Sequence, residues 1–108
     1  HGKLGAYYSK VKYNITDDDT LNAITYHTTG RPNMSTLEKI VFVADFIEPN
    51  RSSYRVPTLN DIRKVSFQNL DKAVAMILDD TISFLERTNR LIDITTVNAF
   101  HYYKSFME

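Results

Sequence analysis

Two side chains that can bind a metal ion lie in the first half of the sequence, His27 and Asp45. Asp45 belongs to a segment that is otherwise almost entirely apolar, residues 37–47. A carboxylate in such surroundings is costly unless a positive charge, hydrogen bonds or a metal ion compensate it. Imidazole and carboxylate ligands suit iron, manganese or zinc. The two residues therefore indicate a metal site, to which the preceding helix contributes His27.

Both residues also have a simpler structural interpretation. A histidine at a helix end can hydrogen-bond the last carbonyl groups, and His27 stands where such an end is expected. Asp45 can pair with a lysine such as Lys39, although the two residues lie on different faces of one helix. We favour metal binding for Asp45, while the residues alone leave both interpretations open for His27.

The helix that carries Asp45 has clear sequence signals at both ends. Ser35, followed three residues later by Glu38, forms a capping box. Pro49 ends the helix because the residue before a proline is disfavoured in the helical region. Its apolar character almost all the way round predicts a buried helix in the middle of a bundle.

The other segments also show helical periodicity, and none alternates as a strand would. Gly30 ends the helix before the Asp45 segment. We expect an all-α fold, a helical bundle of about six helices in a single domain over residues 1–108. Besides the Asp45 helix, the predicted helices cover residues 1–13, 16–27, 58–69, 71–89 and 95–106, with the later boundaries approximate.

Composition limits the classes of function. Lys plus Arg and Asp plus Glu both number 13, so no overall charge favours nucleic acid or an anionic membrane as a partner. The absence of cysteine excludes disulfides and thiolate chemistry, and the longest apolar run is too short to span a bilayer. We expect a cytoplasmic protein. Because the sequence begins with His1 and not Met, we also expect it to be a fragment of a longer chain.

Three segments together resemble the YqeK family of the HD-domain superfamily. They are HTTGRP from His27, LEKIVFVADFIEPNR from Leu37 and LDKAVAMILDDTISFLERTNRLI from Leu70, and the resemblance runs from His1 to about Asn98. It implies an HD-domain-like helical fold and a symmetrical diadenosine tetraphosphate hydrolase with a two-metal centre, usually di-iron. The His-Asp dipeptide that names the superfamily does not occur in this sequence, so the resemblance covers the C-terminal part of such a domain.

The resemblance also implies roles for individual residues. Three would be metal ligands and three would contact the polyphosphate: His1, His27 and Asp45 for the metal, and Arg31, Asn50 and Arg51 for the substrate. Planar arginine donors suit phosphate oxygens. As alternatives, His1 can be the remnant of a tag, and the two arginines can be solvated surface charges.

The expected function is a metal-dependent phosphohydrolase that cleaves diadenosine tetraphosphate symmetrically to two ADP. This chain is expected to carry only part of the binuclear metal site and to need the rest of the protein for activity. Two metal ions, iron first with manganese or zinc as alternatives, can activate water and neutralise phosphoryl charge. No catalytic side chain beyond the metal ligands is expected, and Asp79, Asp80 and His101 are interpreted as capping, pairing or packing residues. The alternatives are another HD-type nucleotide phosphohydrolase, or a non-catalytic helical fragment that associates with another chain, a second copy included.

Overall fold

The computed structural model describes residues 17–48 and 58–108, and all regular structure within these ranges is helical. The prediction of an all-α fold is confirmed. The predicted first helix, over residues 1–13, lies outside the described residues. The described elements are α1 (Asp18–Tyr26), α2 (Thr36–Phe46), α3 (Leu59–Ser66), α4 (Leu70–Arg87), α5 (Ile94–Tyr103) and a terminal 3-10 turn (Lys104–Met107).

Side-chain caps set where most of the described helices begin. The capping box predicted for α2 is present, with Ser35 accepting from the backbone N–H of Glu38 and Glu38 accepting from that of Ser35. Three other helices begin directly after a residue whose side chain caps them, and these N-cap residues are Asp17, Asn69 and Asp93. Because caps are local in sequence, these starts lie within a few residues of the predicted ones.

Helix α4 is at the centre of the described fold. It packs against α2, α3, α5 and the 3-10 turn. Its buried residues supply much of the hydrophobic core, and they are Ala73, Val74, Ala75, Ile77 and Leu78. None of the described helices combines the length and apolarity needed to cross a bilayer.

Helix α2 is not buried on all sides, and the prediction that it would be is wrong. It packs against α1 and α4, while Leu37, Ile40 and Ala44 on its other side are exposed. Hydropathy reports how apolar a helix surface is, but not whether another element covers each side of it. The side that no described helix covers is the reason that the sequence overstated the burial of this helix.

Long-range hydrogen bonds with helix α5 hold the connection between α1 and α2 in place. The hydroxyl of Thr96 donates to the carbonyl oxygen of Thr29 at 3.0 Å. The backbone N–H of Met34 donates to the hydroxyl of Tyr103 at 2.7 Å, and both residues are buried. Burial raises the pKa of Tyr103 above its usual value, with the hydrogen bond from Met34 acting weakly against it. The segment that follows His27 is therefore fixed to the opposite end of the chain.

Candidate metal centre

His27 lies at the C-terminal end of α1, and its ring is oriented by that end. Nδ1 lies 2.7 Å from the carbonyl oxygen of Ile24. A carbonyl oxygen can only accept, so Nδ1 carries the proton and Nε2 keeps its lone pair. The helix-capping role considered from the sequence is therefore present, and it leaves the other ring nitrogen available as a ligand.

The turn after His27 depends on Gly30. Its backbone N–H donates to the carbonyl oxygen of Tyr26 at 2.8 Å, and its φ is +70°, in the left-handed region that favours glycine. A Cβ atom here would lie 3.4 Å from the ring of Phe42 and 3.5 Å from Leu78. The turn thus lies directly against α2 and α4, which brings His27 close to both helices.

Asp45 is exposed, so the prediction that it would be a buried carboxylate is wrong. It lies on the same face of α2 as the buried Glu38 and Phe42, but in the last turn, where the helix borders an open pocket. No basic residue lies in that turn, and the negative end of the helix dipole disfavours a carboxylate there. A cation would offset that cost.

The carboxylate of Asp45 has no hydrogen bond or ion pair with any residue in the described ranges. Lys39, the alternative partner considered from the sequence, pairs instead with Asp71 of α4, with 2.7 Å between Nζ and Oδ1. A pairing of Asp45 with Lys39 is therefore excluded by the structure.

His27 and Asp45 line one pocket of about 230 Å³. The remainder of the lining consists of two hydroxyl residues and three apolar ones, namely Thr28, Thr81, Phe42, Phe46 and Ile77. The donor types fit a borderline-hard metal ion. Within the described residues no three such side chains come together, so the pair falls short of the three protein ligands usual in a catalytic zinc site. His1, the third predicted ligand, lies outside these residues.

Arg31 is held by a buried carboxylate at the start of α2. Its Nε donates to Oε1 of Glu38 at 2.6 Å and its Nη2 to Oε2 at 2.8 Å. Glu38 is 1% exposed, and the guanidinium also lies 5.0 Å from the centre of the Tyr26 ring. Burial alone would raise the pKa of Glu38, but the hydrogen bonds from Arg31 and Ser35 outweigh it and lower that pKa. The hydrogen bond to Glu38 in turn raises the pKa of Arg31.

Arg31 is therefore fixed in direction beside the turn that carries His27. The other two predicted substrate contacts, Asn50 and Arg51, lie outside the described residues. The sequence identified Glu38 only as a capping residue, and its pairing with Arg31 was missed. The signal was present, because an arginine shortly before a capping box can reach the same carboxylate.

Arg63 of α3 was also missed by the sequence analysis. Its Nε donates to the carbonyl oxygen of Ile47 at 3.1 Å and its Nη2 to that of Glu48 at 2.9 Å. An arginine at these last carbonyl groups stabilises the end of α2, close to Asp45. Nothing in the sequence around Arg63 distinguishes it from a surface arginine.

The fold and the pocket define a class of protein once they are compared with solved structures. The crystal structure of a protein described as a predicted HD superfamily hydrolase involved in NAD metabolism, from Clostridium acetobutylicum, matches with a TM-score of 0.90 at 42% sequence identity. The match covers 98% of this chain and 55% of that one. The described helices therefore have the HD-superfamily hydrolase fold. No family model matches the sequence.

Curated relatives show a more specific similarity. The symmetrical bis(5'-nucleosyl)-tetraphosphatase of Halalkalibacterium halodurans is 44% identical over 101 residues, which are 94% of this chain and 52% of that protein. The Bacillus subtilis protein of the same name is 36% identical over 102 residues, 94% of this chain and 53% of the relative. Over nearly all of its length the chain is therefore similar to proteins of this name, as the resemblance to the YqeK family of the HD superfamily predicted. It spans about half the length of the curated relatives it matches, their C-terminal portion.

Proposed function

We propose that the protein carrying this chain is a cytoplasmic, metal-dependent phosphohydrolase that cleaves diadenosine tetraphosphate symmetrically to two ADP. The observation that carries the proposal is the pocket shared by His27 and Asp45, in the fold of HD-superfamily hydrolases. The names of the relatives at 44% and 36% identity support the choice of substrate.

The proposed metal ligands are His27 through Nε2, the carboxylate of Asp45, and His1. When bound, two metal ions, iron first with manganese or zinc as alternatives, would supply a polarised water and charge neutralisation at the phosphoryl group. The chain contributes the ligand geometry. The bond from Nδ1 of His27 to the Ile24 carbonyl fixes the ring, and a Nδ1 partner of this kind raises the basicity of Nε2.

Arg31, Asn50 and Arg51 are the proposed contacts of the polyphosphate. For Arg31 the support is its fixed direction, since Glu38 binds Nε and Nη2 while Nη1 takes part in neither bond. Its side chain is 33% exposed, so it can reach a ligand. An arginine that is already oriented loses little rotamer freedom when it binds a phosphate oxygen.

Product analysis tests this proposal. The protein carrying this chain is incubated with diadenosine tetraphosphate and Fe²⁺ or Mn²⁺, with the full-length Bacillus subtilis relative as the positive control, and the nucleotides are separated by chromatography. We expect ADP as the only product, loss of turnover in Asp45→Asn, and normal turnover in Asp79→Asn on the exposed side of α4. ATP with AMP as products, or no turnover by a folded sample beside an active control, would contradict the proposal.

A second candidate is a helical module that associates with another polypeptide. The exposed residues Leu37, Ile40 and Ala44 share one side of α2 at helical spacing, and the chain spans about half the length of its relatives. The proposed occupant of this side is the half of the family's length that the chain does not span. Sedimentation velocity of the chain, alone and mixed with that half of the relative, tests it. A monomer in both samples would contradict it, and Ile40→Lys should abolish any complex.

A further inference from the structure

Thr81 is a polar residue of the pocket to which no role has been given. It lies in α4, is partly buried, and lines the same pocket as His27 and Asp45. The residues proposed so far as metal ligands or substrate contacts all come from the chain before residue 52. Thr81 would therefore be a contribution of the central helix to the site.

The hydroxyl of Thr81 lacks the hydrogen bond to the preceding turn that two other threonines of the fold make. Threonine in a helix commonly donates to the carbonyl group one turn earlier. Thr25 does so to Leu21, and the exposed Thr88 does so to Phe84, both at 2.8 Å. Thr81 makes no hydrogen bond with any residue in the described ranges. A partly buried hydroxyl that keeps both its donor and its acceptor unused is available to a ligand.

The chemistry of the pocket determines which ligand group suits this hydroxyl. Asp45 offers only acceptors, and the lone pair of His27 Nε2 is also an acceptor, so both favour a cation. A phosphate oxygen also offers only acceptors and needs donors around it. Among the described residues of the lining, Thr28 and Thr81 are the only ones with a hydroxyl group, and Thr81 is the only polar one from α4.

We infer that Thr81 is a substrate-binding residue whose hydroxyl donates a hydrogen bond to a phosphate oxygen of the nucleotide in this pocket. The inference rests on the proposed function. It differs from a packing role in one respect, because a packing role needs the methyl group of Thr81 and not its hydroxyl. Valine preserves the shape without the hydroxyl, while serine preserves the hydroxyl with less volume.

The test uses ADP as the probe, in the presence of saturating Mn²⁺, with calorimetry on the whole chain. Thr81→Val should bind ADP about 10- to 100-fold more weakly, the loss expected for one hydrogen bond to a charged group. Thr81→Ser should bind ADP with an affinity within about threefold of that of the wild type, since serine keeps the hydroxyl that makes the hydrogen bond. Thr88→Val, which removes a back-bonded hydroxyl outside the pocket, should bind as the wild type does. The affinity for Mn²⁺ alone should not change in any variant.

The outcomes separate this inference from the proposed function. If the wild type binds Mn²⁺ and ADP and Thr81→Val binds ADP equally well, the role of Thr81 is refuted while the proposed function stands. If Thr81→Ser loses as much affinity for ADP as Thr81→Val does, Thr81 has a packing role, and its role in substrate binding is also refuted. If the wild type binds neither Mn²⁺ nor ADP, both the role of Thr81 and the proposed function are refuted. Should Thr81→Val fail to fold, Thr81→Ala replaces it in the same comparison with serine.

Discussion

Replacing Glu38 by glutamine tests the network that orients Arg31 and the start of α2. Glu38 accepts two hydrogen bonds from Arg31 and one from the backbone of Ser35, and it is 1% exposed. Glutamine keeps the shape but turns one acceptor oxygen into a donor that faces other donors. Removing one partner of a fully buried ion pair costs about 3–5 kcal/mol. Because Arg31 is 33% exposed and can be rehydrated, we expect Glu38→Gln to lower the free energy of unfolding by about 2 kcal/mol.

The pH dependence gives the same prediction an independent check. The pKa of Glu38 is lower in the folded chain than in the unfolded chain, where a glutamate titrates near about 4.3. Its contribution is therefore complete above the unfolded pKa and is lost as the pH falls through the folded pKa. The difference in stability between wild type and Glu38→Gln should be full at neutral pH and should shrink below about pH 4.3.

Urea unfolding followed by circular dichroism measures both effects. The matched control is Glu86→Gln, the same chemical change at an exposed position of α4, which should alter the free energy of unfolding by less than about 0.5 kcal/mol. Equal effects of the two substitutions, or a difference for Glu38→Gln that stays constant into strongly acidic buffer, would refute the reasoning.

Three further predictions follow from the connection between α1 and α2. Gly30→Ala places a side chain at a φ of +70° and should cost about 1–2 kcal/mol in urea unfolding; no loss would contradict the left-handed turn. Tyr103→Phe leaves the buried N–H of Met34 without its acceptor and should cost about 1–3 kcal/mol, whereas Tyr102→Phe, on an exposed ring, should cost far less. Nitrogen NMR of His27 in its neutral form should show the proton on Nδ1, and a proton on Nε2 would contradict the bond to Ile24.

The sequence predicted local features of this fold well, because their causes are local. The capping box of Ser35 and Glu38, the stop at Gly30 and the long periodic helix α4 all depend on residues within a few positions of one another. The resemblance to the YqeK family added residues that no periodicity could identify as a site. Of these, His27 and Asp45 line one pocket, and their role as ligands stays a prediction.

Features that depend on distant residues were not predictable. The bond between Met34 and Tyr103 joins positions 69 apart, and the ion pair of Lys39 with Asp71 joins positions 32 apart. The exposure of Asp45 has the same origin. The hydropathy of an apolar helix predicts that it is buried on every side. Its actual burial depends on which elements pack against it, and hydropathy does not report this.

Calorimetric titration of the chain with Mn²⁺ tests most directly whether His27 and Asp45 together bind a metal ion. We expect the wild type to bind Mn²⁺. In both His27→Ala and Asp45→Asn the affinity for Mn²⁺ should fall by more than the roughly 10- to 100-fold that the loss of an outer-shell partner costs. His101→Ala, at an exposed histidine of α5, should bind as the wild type does. Binding that is unchanged by both substitutions in the pocket would contradict the account.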